Sequence, residues 1–306
     1  MKKILILLST YNGAKYLQEQ IDSLLHQEGV LVDIIIRDDG SSDDTVTIVK
    51  RNLQRPSINL IEGENIGCAL SFLELMKKAR EVQPNYDYFA FCDQDDYWMP
   101  SKMLAAVNAL ATLDGTKPCL YFSNLYVVDS NLSNARLLFD NDKVNLGKKH
   151  SLVESFCTGC TMVFNSLALE MYLSTPIRHL RIHDKRLFHM CLFLGEIIYD
   201  KNAYIKYRQH GNNVIGANAF WGQRVKNKLK SIKSLSKQHV REEEAKELLY
   251  SFGNLLSDED KETINTVALY REKFPYRLKL LFDKDYKIRN IEDNMWSKIR
   301  IIIGHI

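Results

Sequence analysis

The stretch KILILLSTYNGAKYLQEQIDSLLHQ (residues 3–27) decides the architecture. Ile4 to Leu8 form a short, continuous apolar run, the pattern of a buried strand. The polar loop Ser9–Gly13 follows. Ala14, Leu17, Ile21, Leu24 and Leu25 then recur at helical spacing, so an amphipathic helix is expected. The same unit returns three times. VDIIIRDDGSSDDT (32–45) reads as strand and loop, and TVTIVKRNL (45–53) as the next helix. INLIEGENIG (58–67) is strand and turn, followed by a helix over CALSFLELMKKAREV (68–82). YDYFAFCDQDD (86–96) is strand and loop, followed by a helix over PSKMLAAVNALATL (100–113), with Pro100 in its first turn. Strand and helix alternating at short spacing predict an α/β fold with a mostly parallel, Rossmann-like sheet covered by helices on both faces.

Further along, KPCLYFSNLYVVD (117–129) predicts one or two strands and SFCTGCTMVFN (155–165) another. ALEMYLS (168–174) and HDKRLFHMCLFLG (183–195) predict helices, and EIIYDKNAYIKYRQHG (196–211) a pair of strands. After Trp221 the chain reads as helices with polar connections. Two regions are therefore expected: an α/β domain over 1–220 and a basic, mostly helical region over 221–306.

The chain has 306 residues, 45% hydrophobic and 26% charged, enough for a sizeable core. Its net charge of +3 gives no case for nucleic-acid binding. Residues 221–306 hold 18 Lys/Arg against 13 Asp/Glu, and residues 1–220 hold 23 against 25. The apolar run at the start is shorter than the ~7–15 residues of a secretion signal. No run approaches the ~20 residues of a membrane span. The six cysteines show no even framework, which suits a reducing cytosol and a cytoplasmic protein. Cys157 and Cys160 form a lone C-x-x-C, which reads as packing rather than zinc binding.

Three strands end in polar loops: STYN, RDDGSSDD and CDQDD. In an open parallel sheet, ligands sit beyond the carboxyl ends of the strands, so these loops are expected to meet at one edge. Asp93, Asp95 and Asp96 crowd carboxylates into four positions. A hard divalent ion, Mg²⁺ or Mn²⁺, takes oxygen ligands and shares them with substrate phosphates. A solvated acidic turn or a helix cap is the simpler alternative. Asp38 and Asp39 follow an apolar run, where a carboxylate can accept a ring N–H from uracil or thymine. Asp43 or Asp44 suits a cap for the next helix.

Taken in order, STYNG, RDDGSSDDT, ENIGCALSF and CDQDDYW resemble the family 2 glycosyltransferases, which have the GT-A fold. The resemblance runs over roughly residues 1–215. DQDDYW and YRQHGNNVIG are most similar to bacterial rhamnosyltransferase-type enzymes of surface-polysaccharide assembly. The resemblance implies that Thr10 and Tyr11 line the nucleotide and that Asp39, with Asp38 less directly, meets the pyrimidine. Asn65 and Gly67 fall near the base and ribose, and Asp93 at the ribose or donor sugar. Asp95 becomes a metal ligand. Asp184, in His183-Asp184, becomes the catalytic base of an inverting reaction. Its simpler reading is a helix N-cap. Gly159 is set where backbone approaches donor and acceptor. Arg208 and His210 are set to neutralise diphosphate or complete the metal shell. The implied partners are a dTDP- or UDP-sugar, a divalent cation and a saccharide acceptor, lipid-linked in this class, with oligomerisation left open.

Residues 222–239 carry six Lys/Arg and no acid. With Val225, Leu229, Ile232 and Leu235 near helical spacing, they suit either a peripheral contact with an anionic membrane or a helix packed on the body. Two rival functions are a sugar-nucleotide-forming nucleotidyltransferase and a non-catalytic nucleotide-sugar-binding scaffold. The first wants a Gly-rich phosphate loop near residue 10, which LSTYNG is not. The full set of Asp39, Asp93, Asp95 and Asp184 speaks against the second.

Overall fold

The computed structural model describes residues 1–141, 144–209, 239–304 and 306. His210 and residues 210–238, with most of the basic segment, lie outside the described residues. The described chain divides into two compact units. The first comprises Met1–Asn141, Cys157–Thr175 and the chain from Leu180 through residue 209. The second takes the segment ending at Phe156, Pro176–His179, and the chain from residue 239. Two short stretches inside the expected 1–220 domain thus cluster with the C-terminal helices.

In the first unit, β1 (Lys3–Thr10), β2 (Leu31–Asp38), β3 (Ile58–Glu62) and β4 (Tyr88–Cys92) form a parallel sheet in the order β3-β2-β1-β4. Helices α1 (Ala14–Leu25), α2 (Thr45–Asn52) and α3 (Cys68–Val82) connect them, as the alternation predicts. Ile4–Leu8, Ile34 and Ile36, and Phe89–Cys92 are fully buried. Burial on both faces explains why these strands read as unbroken apolar runs. Thr10 pairs with Asp38 and Leu8 with Cys92, so the loops after β1, β2 and β4 emerge at one edge.

Beyond β4 the sheet continues through β8 (Val163–Asn165), β6 (Cys119–Val128), β9 (Glu196–Arg208) and β5 (Tyr97–Trp98), with β7 (Arg136–Leu137) beside β6. β8 is antiparallel to both its neighbours, and β9 is parallel to β6. α4 (Lys102–Leu110), α6 (Ser166–Ser174) and α7 (His183–Leu194) complete the unit. Several elements differ from expectation. Tyr97–Trp98, between the loop expected to end at Asp96 and the helix expected from Pro100, is a strand that pairs with β9. Residues 196–208 form one strand rather than two, with irregular register opposite Ser123–Tyr126. Pro100 precedes α4 rather than lying in its first turn.

The second unit holds α5 (Lys148–Ser151), α8 (Val240–Phe252), α9 (Asp258–Ala268), α10 (Phe274–Phe282) and α11 (Ile291–Ile303). Its core is apolar, with Leu248, Phe252, Ile264, Val267, Tyr270 and Leu280 buried. The buried carboxylate of Glu242 takes two bonds from Arg271, at 2.5 and 2.9 Å, and one from Lys246 at 2.8 Å. Among the described residues no helix is long and apolar enough to cross a membrane.

Candidate active site

The loop after β1 is built by its neighbours. Asn12 takes a positive φ of 48° and its side-chain oxygen accepts from Ser42 N at 2.8 Å. Gly13 N donates to Thr45 Oγ1 and Ala14 N to Asp43 Oδ2, so the β2 loop caps α1. Asp43 also accepts from Thr45 N at 3.0 Å and so caps α2, whereas Asp44 makes no side-chain cap.

The doubled aspartate now divides by role. Asp38 is buried and accepts from Thr10 Oγ1 (2.9 Å), Ser41 N (2.8 Å) and Ser41 Oγ (2.6 Å). It ties β1 to the β2 loop. Asp39, also buried, accepts from Arg37 Nη1 at 2.5 Å, Ile66 N at 3.0 Å and Gly67 N at 2.9 Å. Asp39 thereby draws the 63–67 turn against β2. Gly40, at φ +81°, comes so close that a Cβ there would lie 3.0 Å from Asn65 N. Among the described residues Asp39 Oδ2 accepts from Gly67 N alone, which leaves acceptor capacity for a ring N–H. Asn65 and Gly67 are exposed at this edge, beside the exposed side chains of Tyr11 and Ile66.

Gln94 joins two loops. Tyr11 N donates to Gln94 Oε1 at 2.8 Å, and Gln94 Nε2 donates to Tyr11 O at 3.0 Å. The amide thus locks the β1 loop to the acidic loop. It lies flat against Gly13, where a Cβ would fall 2.1 Å from Gln94 Oε1.

The acidic loop is half open and half buried. Burial, and then the charges of Asp95 and Asp184, push the Asp93 carboxyl up to about 7. Asp96 is fully buried, and burial followed by Asp93 and Asp95 pushes its carboxyl well up. Asp96 Oδ1 accepts from Arg208 N at 3.2 Å. Ligand atoms of Asp93, Asp96 and Cys160 lie within 4.8 Å of one another. The Cys160 thiol is buried and held protonated by that burial. A protonated soft sulfur does not suit Mg²⁺ or Mn²⁺, whereas clustered oxygen donors do. Of this cluster the half-exposed Asp93 carboxylate offers the oxygen donor that suits a hard cation, and the buried Cys160 side does not.

Under that buried side lies Lys102, fully buried, with Nζ 3.5 Å from the centre of the Trp98 ring. Burial lowers its amine to about 7, against the opposing pull of Cys160, Cys92 and Asp96. In PSKMLAAV this lysine looks like a solvated residue at a helix start, and only the fold reveals its burial. Arg37 was missed for the same reason.

Arg208, expected from the sequence to face the diphosphate, is corrected by its contacts. The residue is 2% exposed. Its Nε donates to Asp95 O at 2.9 Å, its Nη1 to Ser130 O and its Nη2 to Glu19, and the guanidinium lies 4.2 Å from the Tyr16 ring centre. Every nitrogen of the fork is spent on protein acceptors, so the side chain secures the acidic loop.

Asp184 lies in the first turn of α7, one residue inside the helix, so it is not the N-cap. Its Oδ2 accepts from Gly159 N at 3.0 Å and its Oδ1 from Lys185 N at 2.7 Å. Gly159, expected to approach donor and acceptor, instead seats Asp184. A Cβ there would lie 3.2 Å from Asp184 Oδ2. His183 is buried, stacked on Phe72 (3.9 Å between ring centres) and edge-on to Phe91 (4.7 Å). Burial holds its imidazole down to about 3. His183 is thus a neutral wedge that positions its neighbour.

That burial makes a pH prediction. The unfolded state protonates His183 near ~6.5 while the folded state resists to about 3. Stability is complete above ~6.5 and falls with pH through that window, by up to ~1.4 kcal/mol per pH unit from this group. His183→Phe keeps the stack, and its denaturation midpoint is expected to depend less on pH between 6.5 and 4. Parallel wild-type and variant curves would contradict the assignment.

Cys68, at the start of α3 after Gly67 (φ +85°), was also missed. The surrounding protein, and then Asp93, Asp184 and Asp39, push its thiol up to about 12.

The description Glycosyl transferase family 2 fits residues 5–170, more than half the chain. A dTDP-rhamnosyl transferase, RfbG of Shigella flexneri, is 30% identical over 69% of this chain and 74% of its own length. An uncharacterized glycosyltransferase of Rickettsia typhi is 26% identical over 67% of this chain and 63% of its own length. Among solved structures, S. aureus TarS 1–349 aligns with a TM-score of 0.58 at 16% identity, covering 99% of this chain and 80% of that one. The mannosyltransferase PcManGT of Pyrobaculum calidifontis, solved with GDP-Man and Mn²⁺, aligns at 0.50 and 16%, covering 97% and 88%. At such identity the structural likeness shows the fold alone. The chain belongs to glycosyl transferase family 2 and is a glycosyltransferase with the GT-A kind of α/β fold and additional C-terminal helices.

Proposed function

We propose that this chain is an inverting glycosyltransferase that moves a sugar, rhamnose or a hexose, from a dTDP- or UDP-linked donor to a growing, lipid-linked surface polysaccharide. The observation that carries this reading is the family 2 match over residues 5–170, on a parallel sheet whose β1, β2 and β4 loops emerge at one edge. Tyr11, Asp39 and the 65–67 turn receive the nucleoside. Asp93 meets the ribose or donor sugar. Asp93 and Asp95 would hold a divalent cation, which when bound supplies Lewis-acid neutralisation of the diphosphate. Asp184 takes the proton from the acceptor hydroxyl as its oxygen attacks C1 from the face opposite the leaving group. The C1–O bond to the diphosphate breaks in the same displacement, so the anomeric centre inverts. His210 remains a candidate for the metal shell outside the described residues. The named relative's dTDP-rhamnosyl transfer makes a dTDP-deoxyhexose the first donor to test. A cytoplasmic protein working at the inner membrane face suits such an acceptor.

The test is a panel of dTDP-, UDP- and GDP-sugars with membrane-extracted acceptors, read by nucleoside diphosphate release and by the anomeric proton coupling of the product. Release with one pyrimidine donor and an inverted anomer is expected. Retention of configuration, or tight donor binding without turnover across the acceptor panel, would overturn the reading, the latter in favour of a scaffold.

A further inference from the structure

The second unit exposes apolar side chains that its own core does not use. Seven of the seventeen large hydrophobics left exposed among the described residues lie between Phe274 and Ile303. On α10, Phe274, Leu278 and Phe282 are spaced four apart and share one face, with Phe274 67% and Phe282 75% exposed. Leu280 points the other way and is buried. On α11, Met295, Ile299, Ile302 and Ile303 form a second exposed row, while Ile301 is buried. α10 and α11 pack on each other. Single exposed apolar residues are ordinary, but rows on two touching helices are not.

The charge around these rows has one prevailing sign. Residues 273–303 hold eight Lys/Arg against four Asp/Glu. Lys273, Lys284 and Lys287, at the start of α10 and between the two helices, are exposed. Trp296 sits half-buried on α11, and indoles favour a membrane–water boundary. A second copy of the chain would set this cationic frame against itself. An anionic bilayer complements both features, because the lipid headgroups meet the cations and the acyl boundary receives the apolar rows.

We propose that α10 and α11 form a docking face that lies in the headgroup layer of an anionic membrane. Its purpose rests on the reading of a lipid-linked acceptor; its test does not. The full chain is sedimented with phosphatidylcholine vesicles with and without phosphatidylglycerol. Wild type and the double variant Phe282→Ser/Ile302→Ser are compared, with thermal melts to confirm folding. Wild type is expected to bind the anionic vesicles at least ~10-fold more tightly than the zwitterionic ones, with binding weakened by salt. The double variant is expected to lose most of that binding while holding nucleoside diphosphate as wild type does.

Three results would overturn the proposal. Wild type could ignore anionic vesicles. The double variant could bind them undiminished, which would move any membrane contact to another basic segment such as 222–239. Light scattering could show a wild-type dimer that the double variant dissociates, which would assign the face to a second copy. Vesicle binding without any donor turnover would leave this proposal standing and remove the proposed transfer from a pyrimidine-linked donor, and the converse result would do the reverse.

Discussion

Asp184→Asn is expected to lower kcat by ~10²–10⁴-fold while leaving nucleoside diphosphate affinity within about twofold of wild type. The asparagine has nearly the same shape but takes no proton at neutral pH. It also has one carbonyl oxygen where the carboxylate has two. Gly159 N and Lys185 N now each have their own acceptor oxygen. In the variant one of them competes with the other or faces an amide N–H, so a stability cost of ~1 kcal/mol accompanies the loss. That cost is too small to explain a hundredfold rate effect in a protein that remains folded. Steady-state kinetics with calorimetric titration of the nucleoside diphosphate separate the two. A variant that keeps a tenth or more of the wild-type kcat would place the base elsewhere.

Gln94→Glu should show a pH-dependent defect. The wild-type amide accepts from Tyr11 N and donates to Tyr11 O. A protonated glutamic acid can make both bonds, but an ionised one cannot donate and sits between Asp93 and Asp95. The donor KM relative to wild type is therefore expected to rise by ~10-fold or more at pH 8, from a lost bond and a lone-pair clash worth ~1–3 kcal/mol. It should return toward unity as the pH falls. Gln94→Ala should lose the clamp at every pH. Gly13→Ala gives an independent route, because its Cβ would collide only with the end of the flexible Gln94 side chain. Stability should barely change while the donor KM rises. A ratio that stays flat with pH in Gln94→Glu would remove the clamp from donor binding.

The N-terminal half of the fold was legible because its strands are buried on both faces and its helices on one. Runs such as Ile4–Leu8, and the spacing of Leu17, Ile21 and Leu24, carry that burial in local sequence. The aspartates were legible because crowded carboxylates at strand ends are costly without a purpose. What could not be read depends on distant partners. Tyr97–Trp98 becomes a strand only because β9 returns beside it. Arg208 looked like a ligand for phosphate, since nothing local reveals that the carbonyls of Asp95 and Ser130 consume its donors. Lys102 and Arg37 looked solvated for the same reason. Gly159 stood out only through the resemblance, and its contact with the carboxylate of Asp184, 25 residues away, is not visible in local sequence.

In the proposed reading the β1, β2 and β4 loops make one site for a pyrimidine nucleoside diphosphate and a divalent cation. Its most direct test is calorimetric titration of dTDP, UDP and GDP into the wild-type protein and Asp95→Ala, each with and without Mn²⁺. dTDP or UDP is expected to bind, GDP to bind much more weakly, and Mn²⁺ to tighten pyrimidine binding in wild type but not in Asp95→Ala. Equal binding of all three nucleotides, or Mn²⁺ enhancement that survives Asp95→Ala, would contradict it.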